Sequence, residues 1–501
     1  MRRYITTAID YPNAPPHMGH VMEKVLADVA ARWFRLRGDD VRFQIGTDEH
    51  GVKIQRTAEK EGITPKKLVD RNVLLFQELY RRLQIFSDDF IRTSDRARHW
   101  PTVEELWRRL AARGVLEKRK YTGLYCSGCE KFLTKKDLED GKCPNHQVAP
   151  EEVKEENYFF LLSKETEWLK NLLTKEKGGY HIVPDFRANE TLSLLNQGLD
   201  DVSFSRPHSS LSWGIPVPGD EEQTMYVWCD ALTNYVSTLR VFEEESEEKV
   251  WWEEAEVTHV IGKDIARFHA LIWPAMLKHA GLRTPDCLLI HGFLTSEGQK
   301  MSKSIGNVVE PNEVLERYGV DPLRFYLSLE IPVGNDGDFS WQRFQEAYDG
   351  KLRNTIGNLF HRVLVLLRAE EGELTNIEGS RDLWSRYRKA MDDVDLSTAL
   401  QYAMLIAEEG NRTIDDRKPW ALQGKERKLV LSKLAELLRH IALMLLPFLP
   451  ETAQRMAKQL GLPYASRMLR KDFVIAPATQ EWGSQKDWKT IGEPSILFPP
   501  L

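Results

Sequence analysis

The sequence contains no run of about 18 consecutive apolar residues, and its mean hydropathy is −0.44. A membrane-spanning helix needs about 20 such residues, so no membrane partner is expected. Cysteine is scarce. Five in 501 residues cannot build a disulfide framework, and a reducing, cytoplasmic setting is the expectation. The strand-like start in MRRYITTAID leads to the expectation of no signal or transit segment. Repeats at solenoid spacing and low-complexity tracts are also lacking, which excludes repeat arrays and linker-rich chains.

What is there is globular. Hydrophobic residues make up 42% and charged residues 29%, and 501 residues suggest about three folding units. The formal net charge is −6, with an asymmetry: residues 351–501 hold 23 Lys and Arg against 19 Asp and Glu. A slightly basic C-terminal region on an acidic chain fits contact with a polyanion.

Tyr4 to Ala8 reads as a strand, YPNAPP as a turn, and Gly19 to Leu36 as a helix stopped by Gly38. Val41 to Ile45 reads as a second strand, the opening of a mononucleotide-binding α/β unit. A second α/β block follows downstream: strand Val257 to Gly262, a helix from Asp264, then strand Cys287 to Leu294. These place a Rossmann-type catalytic domain in residues 1–115 and 225–297. Residues 116–224 are rich in turns and read as a connective insertion. A loop region covers 298–349, and 350–501 reads as an α-helical bundle, with DRKPW as a break between helices.

Three motifs carry chemistry. His17-Met18-Gly19-His20 opens the first helix, where two imidazoles can donate to phosphate oxygens and the helix dipole favours negative charge. Lys300-Met301-Ser302-Lys303-Ser304 supplies two ammonium groups suited to charge building on a leaving pyrophosphate. Alone, each motif could be an ordinary solvated turn. The third is Cys126-x₂-Cys129 followed by Cys143-x₂-His146, three thiolates and an imidazole that would close one tetrahedral, structural Zn²⁺ site. Cys229 and Cys287 lie in apolar, strand-like contexts and read as buried thiols.

The order and spacing of HxGH and KMSKS resemble the class I aminoacyl-tRNA synthetases. Five segments, AIDYPNAPPHMGH, GTDEHG, YVWCDALTNY, IGKDIARFH and HGFLTSEGQKMSKSIGN, are similar to those of the methionyl-tRNA synthetases, from Tyr4 to the helical C-terminus. An insertion of about 110 residues with one zinc knuckle is too short for the editing domain of the leucine, isoleucine and valine enzymes. The resemblance implies methionine activation by ATP-Mg²⁺ and transfer to initiator and elongator tRNA(Met). It implies catalytic roles for His17, His20, Lys300 and Lys303, and a methionine pocket of Ile9, Tyr11, Asp48, Trp228, Tyr235, Ile265 and His269. Asp48 would meet the α-ammonium, while Tyr235 and His269 would turn polar hydrogens to the thioether. Gly19, Lys263 and Asp264 would join the two motifs in holding ATP.

Asn354 and Trp420 match the anticodon-reading positions, with Asn358 and Arg362 one and two helical turns on; some relatives carry a basic residue in place of Asn358. A further C-terminal tRNA-binding module is not expected after the helical region, and a monomer is expected. Two rival readings remain from the sequence: a small-molecule nucleotidyltransferase, which has no use for a zinc knuckle or Trp420, and an inactive tRNA-binding paralogue, which would carry damaged motifs.

Overall fold

A computed structural model describes residues 1–126, 131–133, 138–144, 147–175, 178–296, 298–300, 309–370, 382, 384–485, 488 and 490–501, with backbone alone at 131–132 and 299–300. Its centre is a sheet of β1 (Arg2–Thr7), β2 (Asp40–Thr47), β3 (Asp89–Arg92), β4 (His181–Val183), β5 (Glu256–Gly262) and β6 (Cys287–His291). The strands lie in the order β3-β2-β1-β5-β6-β4, and every neighbouring pair is parallel. β1 is buried along nearly its whole length, as a central parallel strand covered on both faces must be. The order reverses between β1 and β5, which pair from Arg3↔Glu256 to Thr7↔Val260. Loops leaving the carboxyl ends of these two strands diverge, and a ligand crevice opens between them.

The expected helix forms as α1 (Met18–Leu36), its apolar stripe packed on the sheet and its Glu23, Lys24 and Asp28 buried as well. Other expectations need correction. The strand expected over Cys287 to Leu294 ends at His291, because Gly292 presses on the backbone of Asn335, where a Cβ would lie 2.0 Å from the carbonyl oxygen. Beyond that break, Leu294–Ser296 pairs with Gln299–Lys300 and with Gly337–Phe339 in a separate small sheet. The helix expected from Asp264 is a 3₁₀ turn at Lys263–Ile265, a π turn at Phe268–Ile272 and an α-helix at Trp273–Ala280. Cys229 sits in the helix Val227–Leu232 rather than in a strand.

Within 116–224, Leu116–Cys126, Lys131–Leu133, Glu151–Phe160 and Val202–Ser203 form an antiparallel sheet of their own. The stretch is not a continuous excursion, however. Its three-residue β4 returns to the parallel sheet and pairs with β6 through His181↔Cys287. A segment that short carries no periodicity, so only its neighbour reveals it as a strand.

The C-terminal region is helical, built on α2 (Asn358–Arg368), α3 (Leu396–Arg417), α4 (Gly424–Leu445) and α5 (Pro450–Gln459). One apolar cluster runs from α1 into this bundle without a gap, joining Trp33 and Phe34 to Tyr387, Leu443 and Phe448. Polar ties reinforce it. The Trp33 indole donates to Asp392 at 2.8 Å, and fully buried Arg324 bridges Asp28 (2.7 Å) and the Phe448 carbonyl (2.7 Å). Among the described residues no helix is long and apolar enough to cross a membrane.

Candidate active site

The turn after β1 builds its own cap. Nδ1 of His17 accepts from the Gly19 amide at 3.2 Å, and Nδ1 of His20 accepts from the His17 amide at 3.0 Å. Two imidazoles thus form the capping box of α1. Because each Nδ1 accepts, the proton of each neutral ring sits on Nε2. The rings stack at 3.9 Å between centroids. Gly19 makes room for this, since a Cβ there would meet the His17 ring at 3.1 Å. Desolvation, followed by the charge of Lys24, pushes the His20 pKa down to about 3, so this ring is neutral at physiological pH.

Beneath the turn lies a buried charge cluster that the motifs do not reveal. Lys24 donates to the Ala8 carbonyl (3.0 Å), Asp10 (2.9 Å) and Glu23 (2.8 Å), which uses all three of its hydrogens. Tyr80 donates to the other oxygen of Asp10 at 2.5 Å, and His291 contacts Glu23 at 3.1 Å. Burial raises Asp10 to about 6 against the pull of Lys24; in Glu23 burial is outweighed by Lys24 and His291, and its pKa falls to about 2. The one sequence clue is the Glu23-Lys24 pair between Met22 and Val25, on the apolar stripe of α1.

Residues implied in the methionine pocket come from four segments. Ile9 and Tyr11 follow β1, buried Asp48 follows β2, Trp228 and Tyr235 lie on the short helices Val227–Leu232 and Asn234–Ser237, and Ile265 and His269 follow β5. The Asp48 amide donates to the Asp10 carbonyl at 2.8 Å, which ties the β1 and β2 loops together. Trp228 stacks on Phe268 at 3.7 Å and meets His269 edge-on at 6.4 Å. Nδ1 of His269 contacts the Ile265 carbonyl at 3.0 Å and must therefore carry the proton, so the Tyr235 hydroxyl donates to Nε2 at 2.7 Å. Desolvation lowers His269 to about 4. Both polar hydrogens expected to face a thioether are thus engaged within the protein.

At the end of β5, Lys263 pairs with Asp336 at 2.7 Å, and Asp264 is exposed. A Cβ on Gly262 would lie 2.8 Å from the Asp264 carboxylate, so glycine there lets this side chain fold back over the strand end. Lys300 is placed by its backbone, paired with Thr295; Lys303 lies outside the described residues.

Cys126 and Cys143 are buried in one small cluster with Leu133 and Leu138, whereas Cys129 and His146 lie outside the described residues. Two thiols brought together from the end of one strand and a turn 17 positions later suit a soft-ligand metal site. Cys229 is buried and Cys287 half-buried; desolvation raises both thiols, Cys287 to about 12.

At the far end, Asn354 lies in a π-helix, Ala347–Gly357, that gives way to α2 at Asn358. Asn354 and Asn358 are exposed, and Trp420 is 53% exposed. The Arg362 guanidinium lies 6.0 Å from the Trp420 ring centroid and pairs with Asp415 at 3.0 Å. An aromatic plate beside a cation is a surface on which an unpaired base can stack.

Known proteins fit this arrangement. A family model described as tRNA synthetases class I (M) matches residues 3–152 and 136–364. The methionine–tRNA ligase of Brucella suis is 40% identical over 95% of this chain and 94% of its own. That of Caldanaerobacter subterraneus is 41% identical over 99% of this chain and 78% of its own. The solved Mycobacterium tuberculosis methionyl-tRNA synthetase in complex with methionyl-adenylate superposes with a TM-score of 0.91, at 34% identity, over 100% of both chains. The free form of the same enzyme gives 0.82 at 32% identity, over 99% of this chain and 98% of that one. With the switch-point crevice, the self-capped HMGH turn and the helical bundle in place, this chain belongs to the class I aminoacyl-tRNA synthetases, among the methionine–tRNA ligases.

Proposed function

We propose that the crevice between β1 and β5 joins methionine to ATP, with pyrophosphate leaving toward the KMSKS segment. The observation that carries this reading is the contact of Trp228 and Tyr235 with His269, with Asp48 on a loop hydrogen-bonded to the segment after β1. Asp48 offers its carboxylate to the α-ammonium, and the aromatic rings enclose the thioether, whose sulfur packs well on ring edges. Nε2–H of His17 and His20 donate to phosphate oxygens; Gly19 allows the backbone to come close; Lys263 and Asp264 flank the ribose and adenine side. Lys300 and Lys303 meet the charge growing on the leaving group, together with the Mg²⁺ that ATP brings. No side chain acts as nucleophile. Positioning and charge stabilisation do the chemistry, and the 3′-terminal ribose of tRNA(Met) then takes the methionyl group.

Asn354, Asn358, Arg362 and Trp420 read the anticodon in this proposal. Cys126, Cys129, Cys143 and His146 would hold one Zn²⁺, which would fix the fold of the 116–224 region and leave no position open for catalysis. A cytoplasmic monomer completes the reading. The decisive experiment is pyrophosphate exchange across amino acids. Methionine alone supports it, and Asp48→Ala abolishes it; exchange that survives Asp48→Ala at normal methionine concentration would remove the pocket assignment.

A further inference from the structure

Asp230 belongs to no motif, yet it is among the most enclosed carboxylates in the protein, 1% exposed. It lies between Trp228 and Tyr235 on the segment that forms one wall of the proposed methionine pocket. Nδ1 of His50 contacts one oxygen at 2.6 Å, and Nε2 of His99 contacts the other at 2.7 Å. Nδ1 of His99 reaches the Ser237 hydroxyl at 2.8 Å, so the same imidazole also holds the end of the second short helix. All three side chains of this His–Asp–His bridge are buried.

The bridge joins segments that share no strand pairing. His50 is two residues beyond Asp48 in the loop after β2, and His99 directly precedes the helix Trp100–Ala112. Besides the Tyr235–His269 hydrogen bond, two ties run from the Trp228–Tyr235 segment into the first strands, from Gln44 to Asn234 Oδ1 (2.7 Å) and from Tyr4 to the Tyr235 carbonyl (3.0 Å). Both end inside β1 and β2, below the crevice; the Asp230–His50 contact instead reaches the loop that carries Asp48. Burial by itself would raise the Asp230 pKa, but His50 and His99 overcome it and keep the carboxyl below its ordinary range.

We propose that Asp230 is a positioning residue for methionine recognition: by holding His50 it fixes the separation between the Asp48 carboxylate and the Trp228–Tyr235 wall. This rests on the pocket reading given above and deepens it. Asp230 itself touches no substrate. Its loss would let the two walls drift, and a misplacement of about 1 Å in a positioned site weakens function by one to two orders of magnitude. The ATP side, built on the HMGH turn and the end of β5, does not depend on this bridge.

The test is steady-state pyrophosphate exchange with the full chain, titrating methionine and ATP separately. Asp230→Ala should raise the methionine KM on the order of tenfold or more, with the ATP KM within about twofold of wild type. Asp230→Asn should return the methionine KM to within about threefold. The amide keeps the shape of the carboxyl and can still hydrogen-bond both imidazoles, donating to one and accepting from the other, so the spacing survives without the charge. His50→Ala cuts the same contact from the other side and should reproduce Asp230→Ala; it decides the matter if Asp230→Ala does not fold. Methionine and ATP KM rising together, an unchanged methionine KM in both alanine variants, or Asp230→Asn as impaired as Asp230→Ala would each overturn the proposal. Asp48→Ala run alongside separates the two levels: normal methionine KM there refutes the pocket reading itself, whatever the Asp230 variants do.

Discussion

At Lys24 a full positive charge sits where no water reaches it, held by two carboxylates and a carbonyl directly under the HMGH turn. A buried ion pair adds little compared with an apolar substitute, but removing one partner strands the other, at a cost of about 3–5 kcal/mol. Lys24→Met strands two. The expected result is a lower urea midpoint, with the loss smaller at pH 6 than at pH 8. Asp10, already raised to about 6 with Lys24 present, takes up a proton once the ammonium is gone and relieves the repulsion. A pH-independent loss would show that Asp10 does not titrate in this cluster. The same residue-scale logic explains the HMGH turn. Its histidines are first of all helix caps, and the capping leaves each neutral ring with its proton on Nε2.

Among the elements, the π-helix Ala347–Gly357 departs furthest from what a helical pattern suggests. Asn411 on α3 donates to the Thr355 carbonyl at 3.0 Å, satisfying a carbonyl of the widened turn. Spacing of four between Asn354, Asn358 and Arg362 describes an α-helix, and here it holds only from Asn358 on. The bundle also predicts a separation of functions. Trp420→Ala should leave tRNA-independent pyrophosphate exchange intact and impair aminoacylation, through lost base stacking of about 1–3 kcal/mol. Lys303→Ala should do the opposite to the first assay, slowing adenylation on the order of a hundredfold with little change in methionine affinity. Equal loss of exchange in both variants would sink the division of labour between crevice and bundle.

For the whole molecule, the continuous core from α1 to the bundle means that the catalytic and helical regions should unfold together. Acid is the condition that should undo them. His20 and His269 have folded pKa values of about 3 and 4, below the model-compound value of 6.5, and His259 is lowered as well. In the unfolded chain these rings take up protons as the pH falls through 6.5, but in the folded chain they resist. Through these three rings proton binding favours the unfolded state in this window, against the opposite pull of the raised Asp10 carboxyl. The melting temperature should be level above about pH 7 and fall steadily from pH 6.5 to pH 4. A melting temperature constant across that range would show that these imidazoles are not held neutral by burial.

The Rossmann opening, α1, the end of the bundle's Leu396–Arg417 helix at DRKPW and the identity of the signature residues are legible from residue order alone. Periodicity, glycine stops and motif spacing are local properties, and the chain obeys them locally. His17 and His20 illustrate this, since a cap needs only its own helix. Other features depend on partners far away in sequence. β4 is a strand only because β6 lies beside it; Lys24 needs Asp10 from the loop after β1 to complete the pair of carboxylates around its charge; and Asp230 acquires two imidazoles from positions 180 and 131 residues distant. The hydrogens of Tyr235 and His269 follow the same rule: residue type says that each can donate, but the Ile265 carbonyl decides which nitrogen carries the proton and hence which way the hydroxyl points. A sequence therefore names the groups that can do chemistry, whereas burial and long-range hydrogen bonding, which exist only in the folded chain, set their protonation and their direction.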